Sequence, residues 1–271
     1  MVLKQRISLI TILGIVSGFG LFFWAIYNST SNYVMFLSLN SLTIVLGGTL
    51  AASMMAYHGL YVFRTLKSLF FILVPYHVSG KTLKSEVQTL INWARINQQQ
   101  GMKALEESID EDHQKEPYVR YGIELLSAGY DVKTIKENLT NSLETTFERH
   151  MVQANILQTM ASFSPAFGMI GTLVGLIIML DNMGGDISKI GPGLAIALLT
   201  TLYGVLFAQL LFKPAAEKIQ QTMEIVRYRH ILIREGLILI SQKKGPFEVQ
   251  DKLNGLLSPQ LKVDLSEDSG E

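Results

Sequence analysis

Hydroxyl side chains lie in two rows of small residues within the apolar part of this sequence. One row, spaced by three and four residues, comprises Ala161, Pro165, Gly168, Thr172 and Gly175. The other comprises Gly193, Ala197, Thr201, Gly204 and Ala208, with Thr200 beside it. Such spacing places each row on one helix face, and small faces let membrane helices pack closely. The oxygens of Thr172, Thr200 and Thr201 also suit a path for a cation. The spacing is consistent with either close packing or an ion path.

The apolar stretches that contain these rows have no side chain that titrates. Asp, Glu, Lys, Arg and His are absent from all four stretches, and Asp181 and Lys213 lie only at their edges. Proton relays and coupled pumps use ionisable groups inside the membrane. The chain therefore offers oxygen ligands for an ion but no proton carrier, so a conducting complex needs a carboxylate from a partner.

An enzyme is not expected. The sequence has neither a phosphate-binding glycine loop nor a Gly-x-Ser-x-Gly elbow. It has no cysteine, and its five histidines lack metal-ligand spacing. We therefore expect no catalytic residue, no metal site and no cofactor apart from a transported ion. Equal numbers of basic and acidic residues give no reason to expect a nucleic-acid partner.

Four nearly uncharged stretches predict membrane spans. They are Ile7–Tyr27, Val34–Tyr57, Asn155–Leu180 and Ile190–Phe212. The shortest has 21 residues, which as a helix reaches roughly 31 Å, about the thickness of the bilayer core. The first stretch is too long for a signal-peptide core and has no cleavage site after it. The prediction is an all-α, polytopic membrane protein with four transmembrane helices and a helical cytoplasmic domain.

The distribution of Lys and Arg predicts the orientation of these spans. The first connection has none and the second has 1, whereas residues 58–154 have 11 and residues 213–271 have 9. Basic residues mark the cytoplasmic side. We therefore expect a multi-pass protein of the cell inner membrane with both termini in the cytoplasm.

The predicted organisation has four parts. Residues 1–57 hold the N-terminal tip and first two spans, residues 58–154 a helical cytoplasmic loop, residues 155–212 the last two spans, and residues 213–271 a helix and a tail. The loop has apolar residues at helical spacing, namely Leu83, Val87, Leu90, Ile91 and Ala94. Helix breaks are predicted at Gly101 and Gly129, with one long helix from Val132 into the third span. Another helix is expected over Glu217–Ile240, and the tail Ser258–Glu271 is expected to be disordered.

Long strings in the third and fourth spans resemble the MotA/PomA family, within the wider MotA/TolQ/ExbB group. They are Ser164-Pro-Ala-Phe-Gly-Met-Ile-Gly-Thr-Leu-Val-Gly175, Ile190-Gly-Pro-Gly-Leu-Ala-Ile-Ala-Leu-Leu-Thr-Thr-Leu-Tyr-Gly204 and Lys213-Pro-Ala-Ala-Glu217. The resemblance implies an ion-conducting stator subunit of the bacterial flagellar motor. Open alternatives are a TolQ/ExbB-like subunit, which would energise an envelope process, and a membrane scaffold without conduction.

The resemblance also implies partners and moving parts. Several copies of such a subunit, a pentamer, form a ring around two copies of a single-span, peptidoglycan-binding partner of MotB/PomB type. That partner supplies the ion-binding Asp, and the cytoplasmic loop of the ring acts on the rotor C-ring. Two prolines of the family match Pro165 and Pro214, which implies a role in gating.

Rotor contact in the resembled family uses charges of the cytoplasmic loop. The acidic position matches Glu106 in the string Ala104-Leu-Glu106. The basic positions match Gln98 and Gln99, so Arg95 or Lys103 is expected to substitute. The alternative is that Glu106 belongs to an ordinary solvated helix face.

The coupling ion is expected to be Na⁺, with H⁺ as the alternative. The resemblance implies sodium because Thr at the Thr172 position is typical of sodium-driven members, where proton-driven ones carry Ala. Hydroxyl oxygens can replace water around a hard cation. Ser162 departs from the acidic residue of sodium-type relatives at that position.

Overall fold

A computed structural model describes residues 9–71, 80–182 and 190–264, and all of its regular elements are helical. The α-helices are α1 Leu9–Ser29, α2 Leu39–Leu42, α3 Gly48–Ala56, α4 Gly59–Phe71, α5 Gly80–Gln100, α6 Met102–Ser108, α7 Glu111–Gln114, α8 Pro117–Ser127, α9 Val132–Asn182, α10 Ile190–Phe207, α11 Lys213–Ser241 and α12 Pro246–Asn254. Two π-helical turns occur at Thr43–Gly47 and Ala208–Phe212, and two 3-10 turns at Tyr33–Phe36 and Pro259–Leu261. The expected all-α class is confirmed.

Four described segments are long and apolar enough to cross a membrane: Thr11–Ser29, Tyr33–Ala56, Val132–Asn182 and Ile190–Ser241. They agree with the four predicted spans. The third belongs to a helix of 51 residues, as the pattern from Val132 predicts. The second is less regular than expected, because a 3-10 turn and a π turn interrupt it.

The chain divides into two compact units. Within the described residues, the apolar unit comprises 9–71, 150–182 and 190–221, and the polar unit comprises 80–149 and 222–264. Each unit therefore combines segments that are far apart in sequence, and α9 and α11 contribute residues to both.

The apolar unit contains a helix that the sequence analysis missed. Helix α4 follows α3 after a two-residue break and places Val62 in a cluster with Phe212 and Ala215. Its exposed face carries Arg64 and Lys67. Leu60 and Phe63 are also exposed on this helix, so its outer side carries both basic and apolar side chains.

The polar unit is built around helix α5, and its apolar positions are those that the periodicity predicted. Leu83, Val87, Leu90, Ile91 and Ala94 are all buried in one core with residues of α8, α9 and α11. The predicted breaks are also confirmed. Gly101 and Gly129 have φ of 85° and 72°, values that glycine adopts without a steric cost.

The C-terminal tail differs from its prediction over residues 258–264. Val263 is only 2% exposed, and its backbone N–H and C=O bond to the side chain of Asn254 at 2.9 and 2.8 Å. The expectation of disorder is wrong for this part, because paired backbone groups and a buried side chain fix it to α12. Residues 265–271 lie outside the described residues.

Candidate ion path and partner-contact surface

Helices α9 and α10 contact each other backbone to backbone. A Cβ placed on Gly175 would lie 2.5 Å from the Ala197 nitrogen and 2.6 Å from the Gly193 oxygen. One placed on Gly168 would lie 2.9 Å from the Thr200 oxygen. No side chain fits at such distances, so glycine is required here. Close packing therefore explains most of the two predicted rows of small residues.

Thr201 differs in burial from the other residues of the predicted row on α10. The buried residues of this helix are Gly193, Ala197, Leu199, Thr200 and Gly204, whereas Thr201 is exposed. Between Gly193 and Ala208, a row that contains Thr201 has spacings of 4, 4, 3 and 4 residues, and a row that contains Thr200 has spacings of 4, 3, 4 and 4. Either row follows one helix face. The spacing alone could not choose between the two threonines.

The three candidate threonines consequently have different surroundings. Thr200 is buried, and its hydroxyl donates to the carbonyls of Ile196 and Ala197 at 2.9 and 3.0 Å. Thr172 is half-buried, and its hydroxyl donates to the Met169 carbonyl at 2.6 Å. A hydroxyl that donates to its own helix keeps acceptor lone pairs for a cation. Thr172 and Thr201 are the two that present oxygen at the surface of the helix pair.

Pro165 lies within the close contact between α9 and α10. The Ser164 hydroxyl is buried and donates to the Gly204 carbonyl at 3.0 Å. A Cβ on Gly204 would lie 2.7 Å from the Ser164 carbonyl oxygen and 3.2 Å from the Pro165 Cα. Proline has no N–H, so one carbonyl of the preceding turn lacks its helical donor. A weakened turn of α9 is thus joined to α10 by a hydrogen bond across the helix contact.

Pro214 follows a widened turn of the fourth span. The Ala208–Phe212 turn is π-helical, and the Lys213 N–H donates to the Ala208 carbonyl five residues earlier. Proline cannot donate to the carbonyl four residues before it, and its ring collides with that carbonyl. Widening the preceding turn relieves the clash, and π turns often occur at functional sites.

The candidate rotor-contact residue Glu106 is exposed on α6. It lines a groove of about 790 Å³ whose other charged residues include Glu111, Lys115, Arg120 and Glu124. Two of those acids have cations of their own, since Lys115 lies 2.9 Å from Glu111 and Arg120 lies 3.6 Å from Glu124. Glu106 makes no ion pair with any residue in the described part of the chain. Its charge is available to a partner.

The basic candidates Arg95 and Lys103 are exposed on α5 and α6, and neither lines the groove of Glu106. Gln98 lies near a turn that carries another basic residue. A Cβ on Gly245 would lie 3.6 Å from the Gln98 amide nitrogen, so Gln98 faces the turn between α11 and α12, which carries exposed Lys243. No local signal could have found this neighbour, because about 145 residues separate the two segments.

A buried ion network in the polar unit was also missed. Arg229 is 1% exposed and donates to both oxygens of Glu86 and both oxygens of Glu116, at 2.7 to 3.0 Å. His113 lies between Asp110 and Glu86, with nitrogen–oxygen distances of 2.5 and 3.4 Å. Glu86, Glu116 and Asp110 carry more negative charge than Arg229 balances, and a protonated His113 offsets part of the excess.

The pKa values in this network follow from the contacts. The hydrogen bond with Glu86 raises the pKa of His113, against the opposing effect of burial, and Asp110 adds to the rise. Burial alone would raise the pKa of Glu116, but hydrogen bonds from His230 and Arg229 outweigh it and lower the value to about 2. Glu116 is therefore ionised at neutral pH, and the contacts of His113 favour its protonated form.

Comparison with known proteins assigns the chain to a family. The MotA/TolQ/ExbB proton channel family matches residues 110–230. The chain is 30% identical to the chemotaxis protein PomA of Vibrio alginolyticus over 93% of its own length and 96% of the relative's. It is 32% identical to motility protein A of Aquifex aeolicus (strain VF5) over 93% and 97% of the two chains. The chain belongs to the MotA/PomA family of flagellar stator subunits.

The fold of this MotA/PomA-family subunit agrees with a solved relative. The structure titled C. jejuni MotAB superposes with a TM-score of 0.81 at 22% identity, covering 95% of this chain and 99% of the other. At that identity the likeness shows the fold. The family is one of stator channel subunits and not of enzymes.

Proposed function

We propose that this subunit conducts cations through a flagellar stator and that sodium is its coupling ion. The observation that carries the proposal is the half-buried Thr172 hydroxyl, which lies on α9 close to the glycine contact with α10. Its bond to the Met169 carbonyl orients the oxygen and leaves lone pairs for a ligand. Sodium needs such oxygens, whereas a proton travels on water and carboxylates.

The carboxylate comes from a second subunit in this proposal. The four apolar stretches of the sequence analysis contain no acidic or basic residue, so the chain supplies no charged group of its own to the ion there. The solved relative is titled C. jejuni MotAB, which supports a single-span MotB-type partner with an ion-binding Asp. Five copies of the present chain surround two copies of that partner, with both termini in the cytoplasm.

Torque passes to the rotor through the polar unit. Glu106 is exposed and has no cation within the described part of the chain, so a basic group of the rotor C-ring can pair with it. Lys243 beside Gln98 supplies the basic side of the contact, in addition to Arg95 and Lys103. Pro165 and the π turn before Pro214 are the positions where the helices change shape as ions pass.

The test measures swimming speed against external sodium at fixed pH. Speed should rise with sodium in cells that use the unaltered stator, and Thr172→Ala should remove that dependence or abolish swimming. Thr43→Ala is the matched control, because Thr43 is an exposed residue of the second span that also bonds its own helix, at 2.9 Å. Swimming that ignores sodium and stops with a protonophore would show that the coupling ion is H⁺.

A further inference from the structure

An apolar cavity separates α1 from the inner helices of the apolar unit. Its volume is about 390 Å³, and its walls include Gly14 and Gly18 of α1, Leu69 of α4, and Leu211 and Pro214. The α1 wall is open because a Cβ on Gly14 would meet no atom within 4 Å, and one on Gly18 would lie 3.5 Å from Leu210. The cavity has the size of ordinary ligand sites.

One end of the cavity is formed by α4 and the start of α11, the two segments that carry the described basic residues of the apolar unit. Lys218 lines it, and the other Lys and Arg residues in the described part of the apolar unit are Arg64, Lys67 and Lys213. These four basic residues belong to α4 and the start of α11. Val62 of α4 and Ala215 of α11 lie in one apolar cluster, which also contains Phe212 of the π turn. The only acidic residue in these two segments of the unit is Glu217. This end therefore attracts an anionic group.

The combination of an apolar chamber and a basic end fits a phospholipid. Water does not stay in a cavity lined by apolar side chains, and the helices that form this one span a bilayer, where acyl chains are the solvent. Basic pockets between transmembrane helices bind anionic headgroups. We propose that the cavity binds one acyl chain of an anionic phospholipid, with the lipid phosphate at Lys218.

The bound lipid would contact the most irregular part of the fourth span. Leu210 and Leu211 belong to the π-helical turn, and Pro214 follows it. A regular α-helix would place the side chains of Leu210 and Leu211 differently. An acyl chain that packs against the widened turn therefore stabilises the π-helical form relative to the α-helical form. Lipid occupancy thus favours one shape of the helix that connects the span to α11.

The experiment counts lipids that stay bound to the purified stator complex. The complex is delipidated in detergent, incubated with micelles containing either phosphatidylglycerol or phosphatidylcholine, and examined by native mass spectrometry. Phosphatidylglycerol should be retained in preference. Lys218→Gln should lower its retention about fivefold, since a basic residue near a lipid headgroup contributes roughly that factor. Gly14→Leu should lower it at least as much by filling the chamber.

The matched control is Gly20→Leu. A Cβ on Gly20 also meets no atom within 4 Å, but Gly20 does not line the cavity, so lipid retention should not change. Equal retention of the two lipids would overturn the proposal, as would normal retention by Gly14→Leu. A third result would also overturn the proposal: Gly14→Leu prevents subunit assembly but does not reduce lipid retention. That result would indicate that a neighbouring copy of the chain, and not a lipid, fills the cavity.

Discussion

Replacing Arg229 with methionine should destabilise the polar unit severely. The guanidinium is 1% exposed and holds two carboxylates, Glu86 at 3.0 Å and Glu116 at 2.7 Å. Methionine fills a similar volume but leaves both carboxylates without their cation. Removing one partner of a buried ion pair costs about 3–5 kcal/mol, a large share of the roughly 5–15 kcal/mol that stabilises a domain. For a unit of this size the expected fall in Tm is about 10–20 °C.

Tryptophan fluorescence can follow this unfolding in the full-length chain. The sequence has two tryptophans, and Trp93 is 3% exposed in the polar unit with its ring 5.2 Å from that of His113. A Trp24→Phe background leaves Trp93 as the single reporter. Arg120→Met is the matched control, because its side chain is 63% exposed and pairs with an exposed Glu124. Surface pairs contribute about 0–1 kcal/mol.

A second comparison separates lost charge balance from lost packing. Arg229→Met combined with Glu86→Leu and Glu116→Leu removes the orphaned carboxylates, and apolar replacement of a whole buried ion group is often neutral or stabilising. The triple variant should recover most of the lost Tm. The reasoning is refuted if Arg229→Met shifts the Tm no more than Arg120→Met does.

Four further predictions concern pH, helix packing, the widened turn and the charged loop. Because the folded-state pKa of His113 is raised, its stabilisation is complete below the unfolded value of about 6.5 and is lost as pH rises through the folded value. The Tm should therefore decline as pH rises above about 6.5, and His113→Gln should flatten that part of the curve. Gly175→Ala forces a Cβ to 2.5 Å from the Ala197 nitrogen and should lower the free energy of unfolding by about 1–3 kcal/mol. Gly191→Ala is the control, because its Cβ would meet no atom within 4 Å and the free energy of unfolding should change little. Pro214→Ala should slow swimming while protease mapping shows normal membrane insertion, and equal speed would argue against a gating role. Glu106→Lys should reduce torque but not the ion current of the assembled complex; loss of both would make Glu106 a structural residue.

The parts of the fold that the sequence predicted are those governed by local patterns. Four apolar stretches predict four spans because bilayer thickness sets their length. The spacing from Leu83 to Ala94 predicts the buried face of α5 because one helix period determines it. Gly101 and Gly129 end helices through their positive φ, which few other residues adopt.

The parts that were not predicted depend on residues far apart in the chain. Arg229 and Glu86 are 143 positions apart, and no local pattern indicates that a basic residue is buried on acids from another helix. Thr200 and Thr201 differ by 100° around α10, yet either fits a row of small residues, so only the position of α9 decides which is buried. The α4 helix lies between a span and a loop, and its short apolar face gave no separate signal.

The contact between α9 and α10 is made by glycine backbones. Such a contact resists separation of the two helices but allows one helix to slide along the other. Interlocked side-chain ridges resist translation of one helix along another, but the surfaces at Gly168, Gly175 and Gly193 are smooth at the scale of a methyl group. The Ser164 hydroxyl on the Gly204 carbonyl fixes one point of this contact. Motion of α9 against α10 about this point is then rotation rather than opening of a gap, so the two helices can tilt without admitting lipid or water between them.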